Sequence, residues 1–136
     1  MKRWWISLLM CWMAVPAWAE VRVVYHLSEG VAQASRAMTN IRNHLEADPS
    51  VKIVVVALGA GLDFLLDGAV GPTGQPFAGT VADLTHKGVR FAACNNTLQT
   101  RKITRDRLLM EAVVVPSGVA EVANLQAREQ FVYLRP

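Results

Sequence analysis

Apolar positions along this chain recur with two alternating periods, and the alternation outlines a fold. Residues 21–27 are rich in β-branched and aromatic side chains, which predicts a strand that Ser28-Glu29-Gly30 breaks. From there the apolar positions fall at Val31, Ala34, Met38, Ile41 and Leu45. Steps of three and four put them on one helical face, so an amphipathic helix is predicted over 31–47, ended by Asp48-Pro49. Residues 51–58 contain the run Ile53-Val54-Val55-Val56-Ala57-Leu58 with no alternation. A strand of that kind is buried on both faces, as in a parallel sheet covered by helices on each side.

The same rhythm continues. Gly59-Ala60-Gly61 turns the chain, residues 62–66 predict a short helix, and the Gly/Pro-rich stretch 67–75 reads as loop. A helix is predicted over 77–87 with Ala78, Val81 and Leu84 on its inner side, closed by Gly88. Residues 89–93 form a third strand leading into Cys94, and Asn95-Asn96-Thr97 is a favourable helix-cap cluster. A helix around 104–110, a strand over 112–115, a helix opened by Pro116-Ser117-Gly118 with Val119, Val122 and Leu125 inward, and a last strand over 131–134 complete the pattern. Strands alternating with helices imply a three-layer α/β/α domain around a mostly parallel five-stranded sheet.

The first nineteen residues follow a different logic. Met1, Lys2 and Arg3 open the chain, an uncharged stretch of about twelve residues follows, and Pro16-Ala17-Trp18-Ala19 ends it. A basic start, an apolar stretch and a small-x-small end make a secretory signal peptide cut after Ala19; the stretch is short for a bilayer that needs about twenty residues. Cys11 lies within it after Met10, not after the small residue a lipoprotein site would have. Residues 1–19 are therefore read as leader and 20–136 as one domain, placed in the periplasm or secreted.

Setting the leader aside changes the composition. Of fourteen Lys and Arg, Lys2 and Arg3 leave with it, whereas all eleven Asp and Glu lie at or after Glu20, so the mature charge is near neutral. No basic stripe with interleaved aromatics remains, and a nucleic-acid partner is not expected, nor a membrane once the leader is gone. One cysteine remains, Cys94, so no intramolecular disulfide can form, and a leftover thiol outside the cytosol is reactive, intermolecularly bonded or buried and inert. His26, His44 and His86 are scattered, without zinc spacing, and no metal is expected.

Ligands of open parallel sheets gather beyond the carboxyl ends of the strands. That edge collects His26-Leu27-Ser28-Glu29, Gly59-Ala60-Gly61, Cys94-Asn95-Asn96 and Pro116-Ser117-Gly118. Cys94, at a strand end before a helix, is the first candidate: amides and a helix dipole there favour a thiolate, and Arg101, Lys102 and Arg105 follow closely. The competing reading is a small buried hydrophobe. His26 holds the equivalent edge of the first strand and is the second candidate, as base or proton donor, if strand order brings it near. Asn95, Asn96 and Gly59 are the candidate ligand-binding residues. His44 and His86 read as surface residues, and the loop over 67–77 either covers the Cys94 edge, contacts another subunit or is an ordinary connection.

Several chemistries fail on the residues. Gly59-x-Gly61 has Phe64 where a dinucleotide fingerprint needs its third glycine. No glycine-rich loop ends in Lys-Ser/Thr, Gly-x-Ser-x-Gly is absent, and Glu29 puts a carboxylate in the first turn where a flavin phosphate would need hydroxyls and amides. No cofactor is expected.

The segments resemble, in order, the DsrE/DsrF-like family, in particular its small single-domain branch. The likeness runs through Tyr25-His26, Asn40-Ile41-Arg42-Asn43-His44-Leu45, Val54-Val55-Val56-Ala57-Leu58-Gly59 and Gly88-Val89-Arg90-Phe91. It continues through Cys94-Asn95-Asn96-Thr97, Val114-Val115-Pro116-Ser117-Gly118-Val119, Leu125-Gln126 and Tyr133-Leu134-Arg135-Pro136. The resemblance implies a flavodoxin-like sandwich, assembled as homo- or hetero-oligomers such as trimers and hexamers. In the sulfur-relay members, which are cytosolic, a cysteine at a strand end takes sulfur as a persulfide and passes it to a partner thiol; Cys94 matches that position. Three readings follow: a sulfur carrier with donor or acceptor proteins as partners, a non-catalytic binding or assembly module with a structural Cys94, and a Cys-His hydrolase. The last lacks any visible group to orient His26.

Overall fold

The computed structural model describes residues 19–136; the basic start and apolar stretch of the leader lie outside the described residues. In chain order the elements are β1 (Arg22–Leu27), α1 (Gly30–Ala47), β2 (Lys52–Ala57), a 3-10 helix (Gly59–Leu65), α2 (Phe77–His86), β3 (Arg90–Cys94) and α3 (Asn95–Thr100). A 3-10 turn (Arg105–Arg107), β4 (Ala112–Val115), α4 (Gly118–Glu129) and β5 (Val132–Leu134) follow. The five strands form one sheet in the order β4-β3-β2-β1-β5 with every pairing parallel. The expected α/β/α architecture is therefore present.

Order and burial explain each other. From β1 to β4 the chain steps one way across the sheet, with its connections on one face; α4 then returns over the opposite face to deliver β5 beside β1. Reversing the face when the direction reverses is what right-handed crossovers require. The first face carries the larger core: Val23, Tyr25 and Leu27 of β1, and Ile53, Val55 and Ala57 of β2, against Ala34, Ala37, Met38 and Ile41 of α1. Phe64, fully buried, meets Phe77 and Phe91 edge to face at 5.7 and 6.0 Å between ring centres. The second face is thinner, with Val24, Val54, Val56, Ala92 and Val115 under Leu125 and Phe131. The unbroken apolar run in β2 thus serves two cores at once, odd positions on one face and even positions on the other.

The structure departs from the sequence pattern in several places. No α-helix spans 104–110. The helix forms earlier, directly after Cys94, and the chain leaves it through Lys102 at φ +55. The following segment is held extended by backbone bonds to the 3-10 helix region: Asp67 donates to the Arg107 carbonyl at 2.8 Å and Leu109 to the Leu65 carbonyl at 2.8 Å. A local apolar pattern cannot report pairing with a segment forty residues away. The cap also shifts, because Cys94 itself is the N-cap of α3 and Asn95 and Asn96 are its first residues. Val119 is 70% exposed, since Gly118, Val122 and Leu125 form the stripe facing the sheet. Ala78 is exposed as well, with α2 inward through Phe77, Val81 and Leu84. His44, expected at the surface, is half-buried, with its Nδ1 3.0 Å from the Tyr25 hydroxyl.

Candidate functional site

Buried residues carry β3 to its end: Phe91, Ala92 and Ala93 lie in the cores, and Cys94 closes the strand in register with Val115 of β4. Residues two apart on a strand share a face, so Cys94 lies with Ala92 on the face that α4 covers. It is 5% exposed and is the one free cysteine among the described residues. Two neighbours close around it. Leu58, just past β2, forms one wall, and Gly118 at the start of α4 forms a roof: a Cβ on residue 118 would stand 2.9 Å from Leu58 Cδ2 and 3.2 Å from Cys94 Cβ.

The surroundings of the sulfur act on its ionisation in opposite directions. Burial by itself pushes the Cys94 thiol up. The polar groups around it, first the Gly118 amide and then those of Thr97 and Asn96, act the other way, and the net direction is below the ordinary thiol value of 9.0. Such surroundings stabilise the thiolate, the nucleophilic form of cysteine. The Thr97 hydroxyl oxygen in turn accepts from the Gly59 amide at 2.9 Å. Gly59 sits at φ +56, a left-handed conformation natural to glycine, and its carbonyl accepts from Arg101 at 3.0 Å. Arg101 also lies 2.6 Å from an Asp63 carboxylate oxygen, which ties the start of the 3-10 helix to α3.

Beside the sulfur lies an open cleft of about 280 Å³, lined by Leu58, Gly59, Cys94, Thr97, Arg101 and Val119 among others. Of the residues singled out in the sequence, Cys94, Asn96 and Gly59 meet at this cleft. Asn95 is not among its lining residues, and its side-chain oxygen instead accepts from Arg105 at 3.4 Å. His26 is also placed elsewhere. The strand order puts β2 between β1 and β3, a separation of about 10 Å between their backbones. The register aligns His26 with Val56 and Val56 with Ala92, one turn of the pleat below Cys94, with Leu58 occupying the space above Val56.

His26 has its own partner at the other side: its Nδ1 lies 2.7 Å from the Tyr133 hydroxyl of β5, while Nε2 is buried without a hydrogen-bond partner. Burial pushes the His26 imidazole below its ordinary value, and the Arg135 guanidinium adds to that. Arg135 is paired with Glu29.

Thr97, Leu58 and Gly118 shape the site although the sequence did not single them out as site residues. For Thr97 the signal was its place in the helix-cap cluster Asn95-Asn96-Thr97. Gly118 was placed at the ligand-gathering edge with Pro116 and Ser117, but its contact with the cysteine, like that of Leu58, depends on which strands are neighbours. Among the described residues no group of three or more His, Cys, Asp or Glu is placed to hold a metal ion. What the arrangement can do chemically is present a stabilised thiolate to a small cleft.

Comparison with known proteins places this geometry in context. The family model described as "DsrE/DsrF-like family" matches residues 22–133. A protein of unknown function from Methanobacterium thermoautotrophicum, MTH1491, is similar in structure with a TM-score of 0.77 and 36% sequence identity, over 86% of this chain and 100% of that one. The ychN protein from E. coli superposes with a TM-score of 0.67 at 13% identity, over 86% of this chain and 98% of that one, a likeness of fold. No curated protein matches.

Proposed function

Since the chain belongs to the DsrE/DsrF-like family, we propose that it handles sulfur, with Cys94 carrying a sulfur atom as a persulfide. The observation that carries this reading is the place of Cys94, the one cysteine among the described residues, at a strand end on the wall of an open cleft, with its thiol held below the ordinary value. In the charging step the Cys94 thiolate attacks the outer sulfur of a donor R–S–SH. A new S–S bond forms at Cys94, the donor's S–S bond breaks, and R–S⁻ leaves with its electron pair. An acceptor thiolate then attacks the outer sulfur, takes it, and returns Cys94 as thiolate. Arg101 at the cleft rim is anchored to Gly59 and Asp63, so it shapes the entrance more than it supplies free charge.

Export belongs to the same proposal: the leader is removed after Ala19 and the carrier works in the periplasm or outside the cell. Assembly as a trimer or hexamer is part of it too, supported by exposed apolar side chains such as Met110, 94% exposed, and Val113 on the edge strand β4. A second reading rests on burial. A sulfur this enclosed also suits a structural thiol in a non-catalytic binding or assembly module.

Intact-mass spectrometry separates the two. The reduced protein and its Cys94→Ser variant are incubated with polysulfide or thiosulfate and weighed. A gain of about one sulfur atom, reversed by reductant and missing from the variant, is expected. No gain from the folded protein with any donor assigns the chain to the binding-module reading.

A further inference from the structure

A second cleft, of about 240 Å³, lies between α1 and the start of α2 and shares no lining residue with the Cys94 cleft. The loop over 70–76 forms one of its walls. That loop is closed on itself. Val70 and Pro76 pair as an antiparallel bridge, the Gly71 amide donates to the Gln75 carbonyl at 2.8 Å, and the Phe77 amide donates to the Ala69 carbonyl at 3.1 Å. A wall held in this way is preformed, which spares a ligand the cost of ordering it. Met38 and Phe77, both buried, and Pro76 give the cleft an apolar side. Its other side offers donors. Arg42 gives one N–H to the Thr80 hydroxyl oxygen at 2.9 Å, and a guanidinium has five. Since Thr80 accepts there, its own proton remains to be donated. Thr73 donates to the Gln75 side-chain oxygen, which leaves the Gln75 amide nitrogen as a further donor. No carboxylate lines the cleft. Arg42 forms no salt bridge among the described residues, not even with Glu46 one helical turn on.

We propose that this cleft binds a small organic monocarboxylate, its carboxylate held by Arg42 and Thr80 and its apolar body laid against Met38, Pro76 and Phe77. A guanidinium meets a carboxylate through two parallel N–H···O bonds, a match of shape as well as of charge. One unpaired cation balances one negative charge, so a monoanion suits the site better than a doubly charged phosphate group. The apolar side has no polar group to satisfy a second charged end, and it favours a hydrocarbon body instead. A cleft of this size takes a body of only a few carbon atoms. The loop over 70–76, whose role the sequence left open, thus serves as one wall of a binding site away from Cys94.

Butanoate is the probe, titrated into the protein at constant ionic strength and followed by NMR of the backbone amides, with butanamide as its uncharged counterpart. Saturable shifts are expected at Gly71, Gln75, Phe77 and Thr80, with butanamide far weaker. Arg42→Gln should weaken binding about tenfold, because it removes the charged partner of the carboxylate. Arg36→Gln removes the same charge from elsewhere on α1, outside the lining of this cleft, and should leave binding unchanged. Should Arg42→Gln lose its folded circular-dichroism spectrum, Thr80→Val supplies the comparison and should weaken binding in the same direction. Shifts that never saturate, equal binding of butanamide, or an equal loss in Arg36→Gln and Arg42→Gln overturn the assignment. Cys94→Ser should bind butanoate as the wild type does, so this site stands or falls separately from the sulfur reading.

Discussion

A side chain at Gly118 would bring its Cβ to 3.2 Å from the Cβ of Cys94, so the first residue of α4 rests directly on the cysteine. The same residue's backbone is the first of the influences that lower the Cys94 thiol against the effect of burial. Packing and chemistry are coupled here: absence of a side chain is what lets the backbone come this close to the cysteine. The helix that closes the second core thus also roofs the cysteine.

Gly118→Ala tests that coupling. Alanine gains about 0.5–1 kcal/mol of helix preference over glycine. Against this stand contacts with two Cβ atoms, on Cys94 and Leu58, which cannot rotate away. Overpacking of this kind costs about 1–3 kcal/mol, so it wins, and the urea midpoint should fall. The displaced amide should also slow Cys94 alkylation at neutral pH. A variant as stable and as reactive as the wild type would refute the close packing.

Gly61→Ala should be far more damaging. The new Cβ would be driven into the Leu27 carbonyl and the Ser28 amide, main-chain atoms at the end of β1 that have no rotamer to change. Soluble yield and the circular-dichroism spectrum report the outcome, and loss of the fold is expected. Replacing Gly79, whose added Cβ would meet nothing within 4 Å, is the matched control and should be tolerated.

His26 predicts acid sensitivity. Its folded pKa lies below the ordinary 6.5, first through burial and then through Arg135. As pH falls from 6.5 toward the folded value, the unfolded chain takes up a proton that the folded chain refuses. The stability present above 6.5 is therefore progressively lost through that window. The buried, unpartnered Nε2 adds to this, since the imidazolium carries a proton on both ring nitrogens and the one on Nε2 faces no acceptor among the described residues. Urea midpoints at pH 7.5 and 5.5 should differ more for the wild type than for His26→Gln, and equal slopes would count against it.

Phe64→Ala should cost about 3–5 kcal/mol, because the ring is fully buried between Phe77 and Phe91 and its removal leaves a cavity. Phe64→Leu, closer in volume, should cost clearly less. The urea midpoints of both variants check the order.

Much of the fold was legible because its signals are local. The stripe Ala34, Met38, Ile41 marks α1, and the unbroken run from Ile53 to Ala57 announces a strand between two cores; both are as expected. Residues 104–110 form no helix because their backbone is drawn into bonds with Leu65 and Asp67, which no local pattern of side chains reports. Val119 misled by one position, since the phase of α4 is set by Gly118 lying on Leu58 and Cys94.

The sequence by itself determined the alternation of elements, the two-sided burial of β2, and the place of Cys94 at a strand end. Those depend on periodicity and composition, which neighbouring residues carry. Only the tertiary structure decided that β2 separates His26 from Cys94, that Tyr133 is the partner of His26, and that Thr97, Leu58 and Gly118 build the cysteine's surroundings. Strand order is set by how whole layers bury their apolar faces and by the hand of the crossovers, and no local stretch of residues encodes either.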